Sequence, residues 1–156
     1  MTKILVSILS VLVILFPFSS FLVGTYQQLS FPGEHEITDE IINAVKSNDI
    51  AAIEEMLSEE TKKKMEDPQK EISEFLKIID GEIIDAKYHS GTGEEDRSGS
   101  GYVYSFRGWI IEFKTTENTY WVWISWVRAD TKSPEHCGLD GISISDTSYN
   151  RLAEIS

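Results

Sequence analysis

Three histidines and one cysteine are the side chains of this chain best suited to ligate a metal or to act as base or nucleophile. His35, His89 and His136 lie far apart in the sequence, whereas zinc sites draw their ligands from short, regular spacings. His136 and Cys137 are adjacent, so their side chains diverge. Cys137 has no base in register and no serine sits in a Gly-x-Ser-x-Gly elbow. We therefore predict no metal site, no cofactor and no catalytic residue.

Clustered carboxylates could instead bind calcium or perform acid–base chemistry. Glu94–Asp96 is a run of acids in a glycine-rich stretch, but it lacks the alternating acids and closing glutamate of a calcium loop. A solvated acidic loop is the favoured interpretation. A catalytic pair of carboxylates is also conceivable among Asp80, Glu82 and Asp85. These acids are more simply interpreted as part of a helix stop and of the polar face of a strand.

Aromatic residues carry the strongest functional signal, because they concentrate in two segments that we expect to pair as strands. The residues predicted to contact a ligand are Tyr104, Trp109, Trp121, Trp123 and Trp126. A curved sheet can hold such rings in a pocket or on an exposed binding face. The alternative is a purely structural role in the core and in cross-strand pairs, where aromatics are favoured.

The elements that would position these rings begin with helices. Apolar residues recur at helical spacing between residues 41 and 79, interrupted by a polar break at 47–49 and by a mostly polar turn at 58–66. Polar residues that suit helix N-caps precede each apolar stripe, and a glycine follows the last one. The predicted caps and stops are Thr38, the segment Ser47–Asp49, Asp67 followed by Pro68, and Gly81, and Ser58 is predicted to begin a third, mostly polar turn.

The second half of the chain is predicted to form strands. The expected strands are Glu82–His89, Tyr102–Thr116, Thr119–Ala129 and Leu139–Ser145. The stretch Ser90–Gly101 is rich in glycine, serine and acids, so we expect a mobile loop there.

The alternation of large residues gives further detail about two of these strands. In the second strand the phase slips near Arg107 and Gly108, which predicts a bulge that returns the large residues to one face. The third strand is apolar on both faces and is expected to be central. One face would pack on the helices, and a partner, a ligand or the chain's own tail would cover the face that carries Trp121 and Trp123.

Helices followed by an antiparallel meander predict an α+β fold, with three to four helices packed on a curved sheet of about four strands. The arrangement resembles a cystatin-like roll. Segments Asn43–Asp49, Ala52–Ser58 and Ile78–Ile84 resemble the domain of unknown function 5104 family of Gram-positive bacteria, over roughly residues 40 to 144. That family has no established activity, and the resemblance implies none. Many members carry a lipoprotein signal, but this chain lacks the acceptor cysteine after its apolar run.

That apolar run, Ile4–Val23, is twenty uncharged residues long and matches the thickness of a bilayer. We predict a membrane anchor or signal segment at 1–24, a tether at 25–37 and the roll domain at 38–156. Lys3 before the run places the domain outside the cell membrane in a single-pass topology. The alternative is a cleaved signal with apolar region Ile4–Phe16, which would release a secreted domain; a buried core helix is the third interpretation.

Charge limits the partners of the domain. The chain has 14 basic and 26 acidic residues, and without Lys3 the balance is 13 against 26, a net charge of −13. Such a surface repels phosphate backbones, so we predict no nucleic acid partner.

Three functional hypotheses remain. The first is a non-enzymatic, membrane-tethered domain that binds a protein or small molecule through its aromatic-rich sheet. The second is a small enzyme of the roll fold that uses a pocket carboxylate such as Asp80 or Glu112. The third is an immunity- or inhibitor-type protein that neutralises a basic partner, suggested by the net charge.

Overall fold

The computed structural model describes residues 33–156, which contain four α-helices and one sheet. The helices are α1 (Glu34–Ser47), α2 (Ile50–Met56), α3 (Glu59–Lys64) and α4 (Pro68–Leu76). The strands are β1 (Ile83–Gly99), β2 (Tyr102–Thr115), β3 (Thr119–Asp130), β4 (Gly138–Asp146) and β5 (Arg151–Ile155), with a short 3-10 helix at Pro134–His136.

In residues 33–156 no helix has the length and apolar character needed to cross a bilayer. The predicted anchor or signal segment at residues 4–23 lies outside the described residues.

The five strands follow one another in the sheet in chain order, and every neighbouring pair is antiparallel. The α+β class and the central position of β3 are therefore confirmed. The sheet has five strands rather than about four, because the short segment Arg151–Ile155 pairs with the end of β4. The charged residues Arg151 and Glu154 stand among three apolar residues without a strict alternation, so this segment gave no distinct strand signal.

Three helix starts predicted from the sequence are confirmed by hydrogen bonds that cap them. The Asp49 carboxylate accepts from the backbone N–H of Ala52 at 3.0 Å, and the Asp67 carboxylate accepts from Lys70 at 3.1 Å. The Ser58 hydroxyl accepts from the N–H of Thr61 at 3.0 Å. Each cap satisfies a donor that the first turn of a helix leaves without an intrahelical partner.

The predicted cap at Thr38 is wrong, because α1 begins at Glu34 and its N-cap residue is Gly33. Residues 34–37 of the predicted tether are thus helical. Ile37 and Thr38 are both buried in the first turns of α1. Burial of Ile37 against the sheet stabilises one more turn than local capping preferences suggest.

The predicted mobile loop at Ser90–Gly101 is also wrong, since β1 continues to Gly99 and pairs with β2 along its length. The two strands are joined by Ser100 and Gly101, with φ of 51° and 79°. Two consecutive residues with positive φ form the type of hairpin turn whose twist matches that of the strands. Pairing with β2 thus overrides the low strand propensity of the glycine-rich segment.

The predicted bulge in β2 is wrong in its location. Residues 102–115 of β2 run through their pairings without an inserted residue, and the extra residues lie in the neighbouring strands instead. Opposite β2, the unpaired residues are Ile84, His89 and Thr92 in β1 and Arg128 in β3. Because β2 keeps its alternation, Trp109, Ile111 and Phe113 are fully buried against the helices, while Tyr104 and Phe106 are only half-buried.

The core lies between the four helices and one face of the sheet. Val122, Ile124 and Ile144 of the two central strands are essentially inaccessible and belong to this core. The helices are also fixed to the sheet through the backbone, since the N–H of Ser58 donates to the carbonyl of Leu139 at 3.0 Å. β3 therefore has one face in the core and one facing away from the helices.

Candidate functional site

Alternation along β3 divides the predicted binding residues between two surfaces. Val122 and Ile124 face the helices, and Trp126 packs against the same core. Trp121 and Trp123 therefore project from the opposite face, where both remain half-buried. The aromatic-rich strand thus serves two surfaces, which we describe in turn.

The first surface is an outer aromatic cluster of His89, Trp121, Trp123 and Tyr149. The imidazole of His89 stacks on the indole of Trp121, with ring centroids 5.3 Å apart. The ring of Tyr149 meets Trp121 edge-on at 4.6 Å and lies 6.3 Å from Trp123. Four rings from β1, β3 and the segment before β5 thus form one continuous patch.

Polar groups frame this patch. Glu112 lies beside it, with carboxylate oxygens 3.2 Å from Lys87 Nζ and 3.8 Å from His89 Nδ1. Trp123 Nε1 donates to the Ser145 hydroxyl at 3.0 Å. Trp121 Nε1 is buried and has no hydrogen-bond partner among residues 33–156. The cluster therefore combines apolar rings with a carboxylate, an ammonium group and one unsatisfied donor.

Tyr149 covers the cluster from a strained turn. Its φ is 65° and its side chain is 65% exposed, although it is a large aromatic residue. The Asp146 carboxylate holds the turn by accepting from the N–H groups of Ser148 at 2.8 Å and Asn150 at 2.9 Å. The hydrogen bonds from the Asn150 side chain and backbone lower the pKa of Asp146. The strain and exposure show that the ring is held over Trp121 by the turn rather than by deep packing.

The second surface is a helix-side groove between the helices and the start of β4, with a volume of about 690 Å³. Its walls combine carboxylates and small residues of the helices with Met56, Trp126, Cys137 and Gly138. The groove is lined by Glu40, Asn43, Ala44, Ser47, Asp49, Ala52, Glu55, Met56, Leu57, Glu59, Lys62, Trp126, Cys137 and Gly138.

A histidine bridged by two carboxylates supports the wall of this groove. Both ring nitrogens of His136 face carboxylates: Nε2 contacts Glu60 of α3, and Nδ1 lies 3.3 Å from Asp130 of β3. Burial disfavours the charged ring, but Glu60 and Asp130 outweigh it and raise the pKa of His136. Burial likewise opposes ionisation of Asp130, yet the amides of Ser133 and Lys132 and the His136 ring lower the pKa of Asp130.

The other predicted residues occupy different positions. Trp109 is completely buried in the core and has no exposed surface for a ligand. Tyr104 is half-buried near the start of β2, where burial and then Glu95 raise the pKa of its hydroxyl. Cys137 lies in the groove wall, and its sulfur accepts from the backbone N–H of Asp130 at 3.2 Å. Trp121 and Trp123 are thus together, while Tyr104, Trp109 and Trp126 lie apart from them.

The acidic run and the three histidines are also dispersed. Asp96 accepts two hydrogen bonds from the Arg107 guanidinium, at 2.9 and 2.7 Å, and so belongs to an ion pair that joins β1 and β2. His35 packs against Tyr88, with ring centroids 5.1 Å apart. His89 lies in the outer aromatic cluster and His136 behind the groove, so no two histidines share a site in the described part of the chain.

Two members of the outer aromatic cluster were missed by the sequence analysis. His89 was placed at a strand end, because the continuation of β1 was not anticipated. Tyr149 lies beyond the last predicted strand, in a turn whose Asp-x-Ser-x-Asn pattern is a signal for hydrogen-bonded turns. Coverage of this face of β3 by the chain's own tail was one of the predicted alternatives, and Tyr149 lies against Trp121 on that face.

Comparison with known proteins identifies a family. A family model described as "Domain of unknown function (DUF5104)" matches residues 40–148, which is more than half of the chain. The comparison with curated proteins found no match.

Proposed function

We propose a function from the surfaces of the chain, because the chain belongs to the family of domains of unknown function 5104, whose description assigns no activity. The chain is a non-enzymatic, membrane-tethered extracytoplasmic domain that binds a protein partner on the outer aromatic cluster. The observation that carries this proposal is the patch formed by Trp121, Trp123 and Tyr149 on the face of β3 turned away from the core. Clustered aromatic rings that remain partly exposed on a strand are typical of binding surfaces.

The shape of the surface favours a protein over a small molecule. Small-molecule sites are usually concave, with volumes of about 300 to 1,000 Å³. The cavity that Trp123 lines beside the patch is about 230 Å³. Tyr149 projects from the patch, so a complementary protein surface could enclose its ring. Tryptophan and tyrosine side chains are the residues that most often contribute large shares of the free energy of such contacts.

The positions of the carboxylates favour binding over catalysis. An enzyme of this fold would need a titratable group within a closed, water-excluding cavity. Asp80 is exposed, and its carboxylate accepts from the adjacent N–H of Gly81 at 2.9 Å. Glu112 lies on the open outer face beside Lys87 and His89. Neither acid has the surroundings of a general acid or base.

Tethering rests on the sequence of residues 4–23, which is long and apolar enough to anchor the chain. Mass determination of the protein extracted from membranes tests it. A mass equal to the full chain supports an anchor, whereas a chain that begins near Tyr26 would show that the segment is a cleaved signal.

Site-specific photo-crosslinking in the native membrane tests the binding surface. A photoreactive residue at position 149 should capture one partner of defined mass, whereas the same residue at Lys63, exposed on α3, should not. Replacing Trp121 and Trp123 by leucine should abolish capture while circular dichroism stays unchanged, because hot-spot aromatics each contribute about 2 kcal/mol or more. Equal capture from positions 149 and 63, or capture unaffected by the leucine variant, would refute the proposal.

A further inference from the structure

The helix-side groove has the features of a second binding site, on the opposite face of β3 from the outer aromatic cluster. We propose that it binds a lysine- or arginine-bearing peptide segment of a partner protein. Its volume of about 690 Å³ lies within the range of ligand-binding clefts, about 300 to 1,000 Å³. The groove lies against Trp126, which faces the helices, so its occupation is independent of the proposed contact on Trp121 and Trp123.

Unpaired negative charge determines the kind of segment. Glu59 is already paired with Lys62 at 2.9 Å, and Asp49 accepts from the N–H of Ala52 at 3.0 Å. Glu40 and Glu55 also line the groove, and within residues 33–156 neither has a hydrogen-bond or ion-pair partner. Two uncompensated carboxylates on different helices therefore face one opening, where a cationic group would complement both.

The apolar part of the lining suits the same occupant. Trp126 offers an indole ring, the aromatic group that attracts ammonium and guanidinium groups most strongly. Met56 and Ala52 provide a surface along which the methylene stem of a lysine or arginine can pack while its charged end reaches the carboxylates. A neutral or acidic segment would leave Glu40 and Glu55 without a partner and would gain less.

The groove opens to solvent at Glu40, Glu55 and Glu59, which are exposed, and an open cleft favours an extended segment over an enclosed small cation. Three helices contribute its rim, and the chain from Cys137 into β4 closes one side. The carboxylates of Glu40 and Glu55 come from α1 and α2 respectively, so a segment that satisfies both must cross between these helices. A peptide with more than one cationic residue fits this arrangement better than a single ammonium ion.

The test uses the full chain in a non-ionic detergent and, as the probe, a short capped peptide of alternating lysine and glycine. Binding is measured by tryptophan fluorescence and by protection of Cys137 from alkylation, since Cys137 lines the groove and is the sole cysteine of the chain. We expect saturable binding with protection of Cys137. The equivalent peptide with glutamate in place of lysine should neither bind nor protect.

A pair of charge-matched variants separates the groove from the general acidity of the domain. Glu40→Gln with Glu55→Gln should weaken binding by about fivefold to thirtyfold, as expected for the loss of two exposed ion pairs. Glu36→Gln with Glu74→Gln removes the same charge from exposed positions outside the groove and should change the dissociation constant less than about twofold.

Three outcomes would overturn the inference. The first is an equal loss of affinity in the two variant pairs, because attraction would then come from net charge alone. The second is binding that leaves Cys137 as reactive as before, which would place the peptide elsewhere. The third is a triamine that binds as tightly as the peptide with the same dependence on Glu40 and Glu55, which would make the groove a site for small cations.

Discussion

Replacing Gly138 by alanine should destabilise the domain strongly, because this glycine meets two separate constraints where the helices join the sheet. Its φ is +123°, a conformation that residues with a side chain rarely adopt. A Cβ atom would also lie 2.9 Å from the carbonyl oxygen of Met56 and 3.2 Å from the nitrogen of Ser58. Both neighbours are backbone atoms, so rotation of a side chain cannot relieve the contact.

The two constraints can be separated by comparison with Gly101. Strained backbone conformations cost about 1–3 kcal/mol each, and overpacking of a tight contact costs about 1–3 kcal/mol more. Gly138→Ala should therefore lower the free energy of unfolding by about 2–6 kcal/mol. Gly101 has a φ of +79° but open space around it, so Gly101→Ala should show only the backbone part, about 1–3 kcal/mol.

Urea denaturation followed by tryptophan fluorescence measures both effects. All four tryptophans lie between residues 109 and 126, so the signal reports on this domain alone. Gly93→Ala is a third variant, with neither a positive φ nor a neighbour within 4 Å, and its midpoint should barely change. If Gly138→Ala lowers the free energy of unfolding no more than Gly101→Ala does, close packing of the start of β4 against the helices is not what requires glycine, and the reasoning is refuted.

Three further predictions concern charge and covering of the sheet. Hydrogen bonds from Arg107 and Ser105 lower the pKa of Asp96 to about 2, so the ionised Asp96 stabilises the folded domain above pH ~4 and this contribution is lost as the pH falls toward 2. The urea midpoints of wild type and Asp96→Asn should therefore converge as the pH falls through that window. The pKa of His136 is raised, so the charged ring contributes fully to the stability of the domain below pH ~6.5, and this contribution disappears as the pH rises through the pKa of the folded state. The difference in free energy of unfolding between wild type and His136→Gln should therefore shrink as the pH rises. Tyr149→Gly removes the ring over Trp121 but also relieves the strain of a positive φ at this position. Acrylamide quenching of tryptophan fluorescence should therefore increase, while the free energy of unfolding changes by less than about 1 kcal/mol.

Features that depend on adjacent residues were predictable from the sequence, and features that depend on distant neighbours were not. Asp49, Ser58 and Asp67 cap helices whose first turns follow them directly, so short-range patterns suffice. The start of α1 was misplaced because Ile37 is stabilised by burial against the sheet rather than by a cap. The strand character of residues 90–99 comes from pairing with β2, which its glycine-rich composition does not indicate.

The candidate surfaces were predictable in part for the same reason. Alternation along β3 correctly separated Trp121 and Trp123 from the core-facing residues, because successive residues of a strand point to opposite faces of the sheet. Trp109 was counted with them because it is one of the aromatic residues of the paired strands, but it is fully buried in the core. Tyr149 joins the cluster through the turn between β4 and β5, and no local sequence pattern predicts its contact with Trp121.

The period of β3 also decides how the two proposed sites can be tested separately. Trp123 and Trp126 are three residues apart, and an odd separation in a strand places two side chains on opposite faces. A partner held on the outer aromatic cluster therefore cannot touch the helix-side groove across the sheet. Losing capture in the leucine variant of Trp121 and Trp123 should leave binding of the lysine peptide intact, and the Glu40 and Glu55 variant should leave capture at position 149 intact. Loss of both functions in either variant would mean that the domain, and not one surface, had been damaged.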